Sequence, residues 1–148
     1  MVRNHIVKYA KKMRLSVFFV ANKPISADAS GYQMIVCPET PDAADNYIAA
    51  HAGSSDVVVT RDIPLAARLV GNGIAVINDR GTAFTADIIR KKMEDRAFDL
   101  QLSRIGLGGA RRSTYSAKEF AQFADCFDRT LRRLGALQPD AVSAPLQG

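Results

Sequence analysis

The 148-residue sequence has no tryptophan, only two cysteines and only two histidines. Cys37 and Cys126 are too few and too far apart for a disulfide framework or a zinc site. A reducing, cytoplasmic setting is the reading that follows. His5 and His51 have no ligand spacing and are read as packing or surface residues. Long apolar runs are also missing. The longest, such as Val57-Val58-Val59, fall far short of the roughly 20 residues that span a bilayer, so no membrane segment is expected. The run from Leu15 to Ala21 lacks a small-residue cleavage site and does not read as a signal peptide. No Gly-x-Ser-x-Gly elbow occurs, and neither cysteine has an adjacent base, which argues against a nucleophilic hydrolase.

What is present is an ordinary globular composition, 47% hydrophobic and 24% charged, enough for one self-sufficient core. The net charge of +5 is unevenly spread. Residues 1–14 carry Arg3, Lys8, Lys11, Lys12 and Arg14 without an acid. Residues 28–62 reverse the sign, with Asp28, Glu39, Asp42, Asp45, Asp56 and Asp62 against Arg61 alone. Between Arg104 and Arg133 the chain is basic again. An acidic segment inside a basic protein suits an enzyme that holds a divalent cation and acts on a polyanion.

Periodicity predicts strands at 15–20, 33–37, 56–60 and 74–77, separated by helices at 41–51 and 62–70, with a first helix at 2–13. Further helices are expected through Lys92, over 95–104, and from Ser116, where Glu119 completes a capping box. Such alternation implies right-handed crossovers and an α/β fold, a mostly parallel sheet flanked by helices, with a helical C-terminal region. One domain over residues 1–135 is expected, with 136–148 as a disordered tail.

Ligands of open parallel sheets sit beyond the C-terminal strand ends, and this ranks the acids. Asp62 follows strand 56–60, and Asp42 and Asp45 stand at the start of the helix after strand 33–37, on one side at i, i+3 spacing. Asp56 begins its strand, roughly 13 Å from Thr60, and is read as a strand-start residue. Carboxylates converging from strand ends suit Mg²⁺ or Mn²⁺, while from spacing alone the plainer readings are helix capping for Asp62 and favourable placement near a helix N-terminus for Asp42. The Gly106–Arg112 loop, with Arg111 and Arg112, has the chemistry to wrap a phosphate.

The stretch Asp42-Ala-Ala-Asp45-Asn-Tyr-Ile48, followed by Ser55-Asp-Val-Val-Val-Thr-Arg-Asp-Ile-Pro-Leu-Ala-Ala67, resembles the core signature of the YaiI/YqxD family of uncharacterised bacterial proteins. Asn78-Asp-Arg-Gly81, Phe84-Thr85, Gly108-Gly109 and Lys118–Phe123 extend the resemblance to roughly residues 2–134. That family is similar to PIN-like domains, many of which are metal-dependent ribonucleases. The resemblance implies a PIN-like fold and a metal site built on Asp45 and Asp62, supported by Asp42. Thr60, Arg61, Arg80, Arg111 and Arg112 are then the candidates to bind nucleic acid or phosphate. It implies hydrolysis of RNA with Mg or Mn as cofactor. The alternative is a non-catalytic nucleic-acid or phosphate binder with an incomplete acidic site.

Relatives begin with a strand ending in Val-Asp-Ala-Asp-Ala-Cys-Pro, whereas this sequence starts within the following helix, and His5 stands where relatives often carry Glu. The expectation is weak metal binding, little cleavage, and a sheet with a gap or open edge that invites dimerisation.

Overall fold

In a computed structural model, the structure describes residues 2–25, 27, 30–106, 115–137 and 143–147. The elements run α1 (Val2–Lys12), β1 (Ser16–Ala21), β2 (Gln33–Val36), α2 (Ala43–His51), β3 (Val57–Val59), α3 (Ile63–Gly71), β4 (Ala75–Ile77), α4 (Ala86–Arg104), α5 (Ala117–Leu137) and β5 (Ser143–Gln147). The sheet order is β2-β1-β5-β3-β4, and every pairing of these strands is parallel. This is the expected α/β architecture, a parallel sheet with helices on both faces, and it is compatible with a PIN-like fold.

Alternation along the strands sorts the core into two layers. Val17 and Phe19 of β1, with Val57 and Val59 of β3, pack against Ile6, Val7 and Ala10 of α1 and Phe123, Phe127 and Leu131 of α5. Val20 and Val58 turn the other way, onto Ile48 of α2, Leu65 and Leu69 of α3, and Ile89 of α4. Val57, Val58 and Val59 are all buried, as a strand covered on both faces must be.

Two expectations need correction. The helices expected through Lys92 and over 95–104 are one helix, because no glycine or proline lies between Ala86 and Arg104 to break it. The tail expected over 136–148 contributes β5 at Ser143–Gln147, between β1 and β3. Ser-Ala-Pro-Leu-Gln has neither the alternation nor the β-branched run that announces a strand, so only its neighbours define it. No helix among the described residues is long and apolar enough to cross a membrane.

Gly81 fixes the turn after β4. Its φ is +85°, and a Cβ there would lie 2.5 Å from the Gln122 carbonyl oxygen of α5. Only glycine allows both the left-handed turn and this approach.

Candidate functional site at the C-terminal edge of the sheet

Because all strands point one way, β2, β3 and β4 end on one edge, and α2 and α3 begin there. The sequence Thr60-Arg61-Asp62 builds the α3 start. Asp62 is its N-cap in extended conformation, with Oδ1 accepting the Leu65 N–H at 2.9 Å. Pro64 adds its fixed φ within the first turn. Thr60 is buried, and its Oγ1 accepts the Asp62 N–H at 3.1 Å. The Thr60 N–H in turn donates to the Ile77 carbonyl at 3.0 Å, locking this turn to the end of β4.

Asp45 lies in the first turn of α2. Arg68 of α3 donates to Asn46 Oδ1 at 2.7 Å, tying the early part of α2 to the middle of α3. The two linked helices each have an acid at the start, Asp45 in the first turn of α2 and Asp62 capping α3. Asp42 behaves differently from expectation. The helix starts at Ala43 instead of Pro41, leaving Asp42 as N-cap in the left-handed region, with φ 65° and no side-chain cap bond. Among the described residues no three acids, histidines or cysteines form a group able to hold a metal ion, so the trio Asp42, Asp45 and Asp62 is not gathered.

Sequence reasoning missed Asp79. It follows β4 directly, its side chain is 17% exposed, and it receives an ion pair from the Arg61 guanidinium, with Nε at 2.7 Å. This carboxylate strengthens the hold of Arg61 on its proton. The second Asp79 oxygen, Oδ1, is buried without a hydrogen-bond partner among the described residues. Tyr115, just before α5, donates its hydroxyl to the Asp79 carbonyl at 2.8 Å. Asn78 Oδ1 accepts the N–H groups of Arg80 at 3.0 Å and Thr82 at 2.9 Å, which shapes the loop. The strand-end rule that selects Asp62 applies equally to Asn78-Asp-Arg-Gly81, where the turn chemistry conceals it.

Arg61 and Arg80 are therefore at the acidic edge, Arg61 in an ion pair. Arg111 and Arg112 lie outside the described residues. Asp56 is at the opposite edge, where its Oδ2 accepts the Gly53 N–H at 2.7 Å before β3 begins. His51 is exposed and stacks on Tyr47, as a surface reading of it predicts. His5 packs against Phe120, Phe123 and Phe127, and burial lowers its pKa below the ordinary 6.5. Cys37 and Cys126 are buried free thiols, and burial pushes the Cys126 pKa up, away from nucleophilic use.

The basic first helix does not join this site. It runs into β1, so Lys11, Lys12 and the following Arg14 stand at the N-terminal edge of the sheet, away from Asp45 and Asp62. Helix α5 runs alongside α1 in the same direction, since His5 meets Phe120 and Phe123 while Tyr9 meets Phe127 and Asp128. Its Arg129 and Arg132 lie toward that far edge, paired with Asp125 and Asp128.

The profile of the uncharacterised YaiI/YqxD family matches residues 1–133, nearly all of this framework. The chain belongs to the YaiI/YqxD family. Similar relatives include a UPF0178 protein of Treponema denticola, 37% identical over 132 residues, which are 89% of this chain and 84% of the relative. A UPF0178 protein of Treponema pallidum is 38% identical over 90% of this chain and 76% of its own. One from Pseudomonas fluorescens is 36% identical over 90% of this chain and 89% of its own. No solved structure matches the chain. For this YaiI/YqxD member, the family relation leaves the chemistry to the residues at the sheet edge.

Proposed function

We propose that this edge is a phosphodiester-binding centre that acts slowly on RNA with a loosely held Mg²⁺ or Mn²⁺ ion. The observation that carries the reading is the Arg68–Asn46 bond at 2.7 Å, which links α3 to α2, the two helices that carry Asp62 as N-cap and Asp45 in the first turn. Mg²⁺ takes about six oxygens and is commonly held by one or two carboxylates together with water and substrate phosphates. Asp62 uses Oδ1 for capping and keeps Oδ2 for such a role. The donor set fits an ion shared with the substrate and does not fit one caged by protein alone. When bound, the ion supplies Lewis-acid polarisation of the phosphate.

The chain's own residues would do the rest. Asp45 and Asp62 set the negative charge, and the starts of α2 and α3 point backbone N–H groups toward an anionic group. Arg61 and Arg80 would bind phosphate from the adjoining loops. Arg61 can reach a phosphate from its place beside Asp79, because its own side chain is 66% exposed.

The test measures Mn²⁺ binding by calorimetry and cleavage of end-labelled single-stranded RNA. Asp62→Asn is the informative variant, because asparagine keeps the helix cap while removing the charge. Slow Mn²⁺-dependent cleavage that disappears in Asp62→Asn is expected. Cleavage unchanged in Asp62→Asn and in Asp45→Asn would overturn the proposal. The absence of a three-acid group among the described residues favours a second reading, RNA binding without hydrolysis. RNA binding with no cleavage at any Mn²⁺ concentration would select it.

A further inference from the structure

Exposed apolar surface is gathered on one helix. α4 has 19 residues and is about 28 Å long, whereas α3, which packs beside it, has nine residues and covers about half that length. Ile89 is the one buried residue of α4. Of the large apolar side chains exposed among the described residues, Met93, Phe98, Leu100 and Ile105 belong to α4 or its C-cap, and only Met13 and Val36 lie elsewhere. Such residues are unremarkable when scattered singly, and their concentration on one element marks a contact surface.

Charge supplies a second, independent observation. Lys92, Asp95, Arg96 and Asp99 follow i, i+3, i+4, i+7 spacing, which sets them along one side of α4. With Ile63 and Leu100 they line a groove of about 470 Å³. Opposite charges stand at i, i+3 within this set, yet none of the four makes an ion pair among the described residues. The order base, acid, base, acid is complementary to its own reverse. Two copies of α4 laid antiparallel about a two-fold axis between Asp95 and Arg96 place Lys92 of each copy opposite Asp99 of the other, and Arg96 opposite Asp95. No other antiparallel register matches all four, and a parallel, in-register pair would set like charges against each other.

We propose that the Lys92–Asp99 face of α4 is a homodimer interface, and that its occupant is α4 of a second copy running antiparallel. Complementary charges fix direction and register, while the exposed apolar side chains of α4 and the groove beside Ile63 supply area to cover. Self-complementarity is what selects a second copy, because an unrelated partner gives no reason for the sequence to match its own reverse. The inference rests on α4 and the groove beside it and does not depend on the RNA reading.

The test is sedimentation velocity of the full chain over a range of concentrations, at low and high salt. A reversible dimer that salt weakens is expected. Lys92→Glu with Arg96→Glu makes the face wholly acidic, and Asp95→Lys with Asp99→Lys makes it wholly basic. Each double variant alone should self-associate at least about tenfold more weakly, and an equimolar mixture of the two should recover a mixed dimer. The milder change Lys92→Gln with Arg96→Gln should weaken the dimer about threefold, and circular dichroism checks that α4 stays helical in every variant. Lys11→Glu with Lys12→Glu alters net charge as much as the acidic variant does and should leave the dimer intact. A parent chain that stays monomeric, a dimer indifferent to both reversals, a mixture of folded variants that stays monomeric, or equal loss on changing Lys11 and Lys12 would overturn the proposal.

Discussion

At the scale of single residues, Asp62 has two roles that different substitutions separate. As N-cap it satisfies the Leu65 N–H, and as a carboxylate it contributes charge to the edge. Asp62→Ala removes both and is expected to lower stability by about 1 kcal/mol, measured by urea unfolding. Asp62→Asn should stay within a few tenths of a kcal/mol of the parent while losing Mn²⁺ affinity. Equal destabilisation by the two variants would mean that the charge, not the cap, holds the turn. Gly81 gives a sharper case, because its left-handed φ of +85° and the 2.5 Å approach to the Gln122 carbonyl act together. Gly81→Ala is expected to cost about 2–4 kcal/mol in urea unfolding, as backbone strain adds to a clash with a main-chain atom. A loss under about 1 kcal/mol would show that the 78–82 loop can move away from α5.

At the scale of elements, the α1–α5 contact ties stability to pH. His5 Nε2 is buried among the rings of Phe120, Phe123 and Phe127, without a hydrogen-bond partner among the described residues, and desolvation lowers its pKa. The unfolded chain, with an imidazole titrating near the ordinary 6.5, therefore takes up a proton before the folded chain does. Stability is expected to fall as pH drops through about 6.5, and the decline from this group ends below the lowered folded value. His5→Phe should flatten that part of the urea-midpoint curve between pH 7.5 and 5.5. An unchanged slope would assign the acid sensitivity elsewhere.

Elements also differ in how readily the sequence reveals them. Val57-Val58-Val59 and the Phe123, Phe127, Leu131 stripe are announced by their own periodicity, since each buries side chains in a fixed rhythm. Asp62 is legible because a cap and a strand-end position coincide in Thr60-Arg61-Asp62-Ile63-Pro64. The place of Asp42 as N-cap, outside α2, turns on a two-residue shift of the helix start, which capping preferences do not resolve. The Arg61–Asp79 pair spans 18 positions and is hidden because periodicity reports only neighbours along one element. β5 is hidden most deeply, since nothing in Ser-Ala-Pro-Leu-Gln asks for a central position.

At the scale of the whole molecule, the charge is divided between the two edges of one sheet. The acids Asp45, Asp62 and Asp79 share the C-terminal edge with Arg61 and Arg80, while Lys11, Lys12 and Arg14 crown the N-terminal edge. The length of β1, six residues at about 3.3 Å each, puts roughly 20 Å between those edges. That exceeds the Debye length of about 8 Å at physiological ionic strength, so the far lysines are largely screened from the acidic edge. If RNA is bound at the C-terminal edge, removing one phosphate-neutralising cation there should reduce the salt dependence of binding by about 0.7 in log–log slope. Replacing both Arg61 and Arg80 by glutamine is therefore expected to weaken RNA binding and flatten its salt dependence by about 1–1.5. Replacing both Lys11 and Lys12 by glutamine should leave the slope nearly unchanged, although it removes the same formal charge. Fluorescence anisotropy with a short single-stranded RNA, titrated at several salt concentrations, distinguishes the two pairs. Equal flattening by both would mean that the polyanion answers to net charge alone, and a located site at the end of β3 and β4 would lose its support.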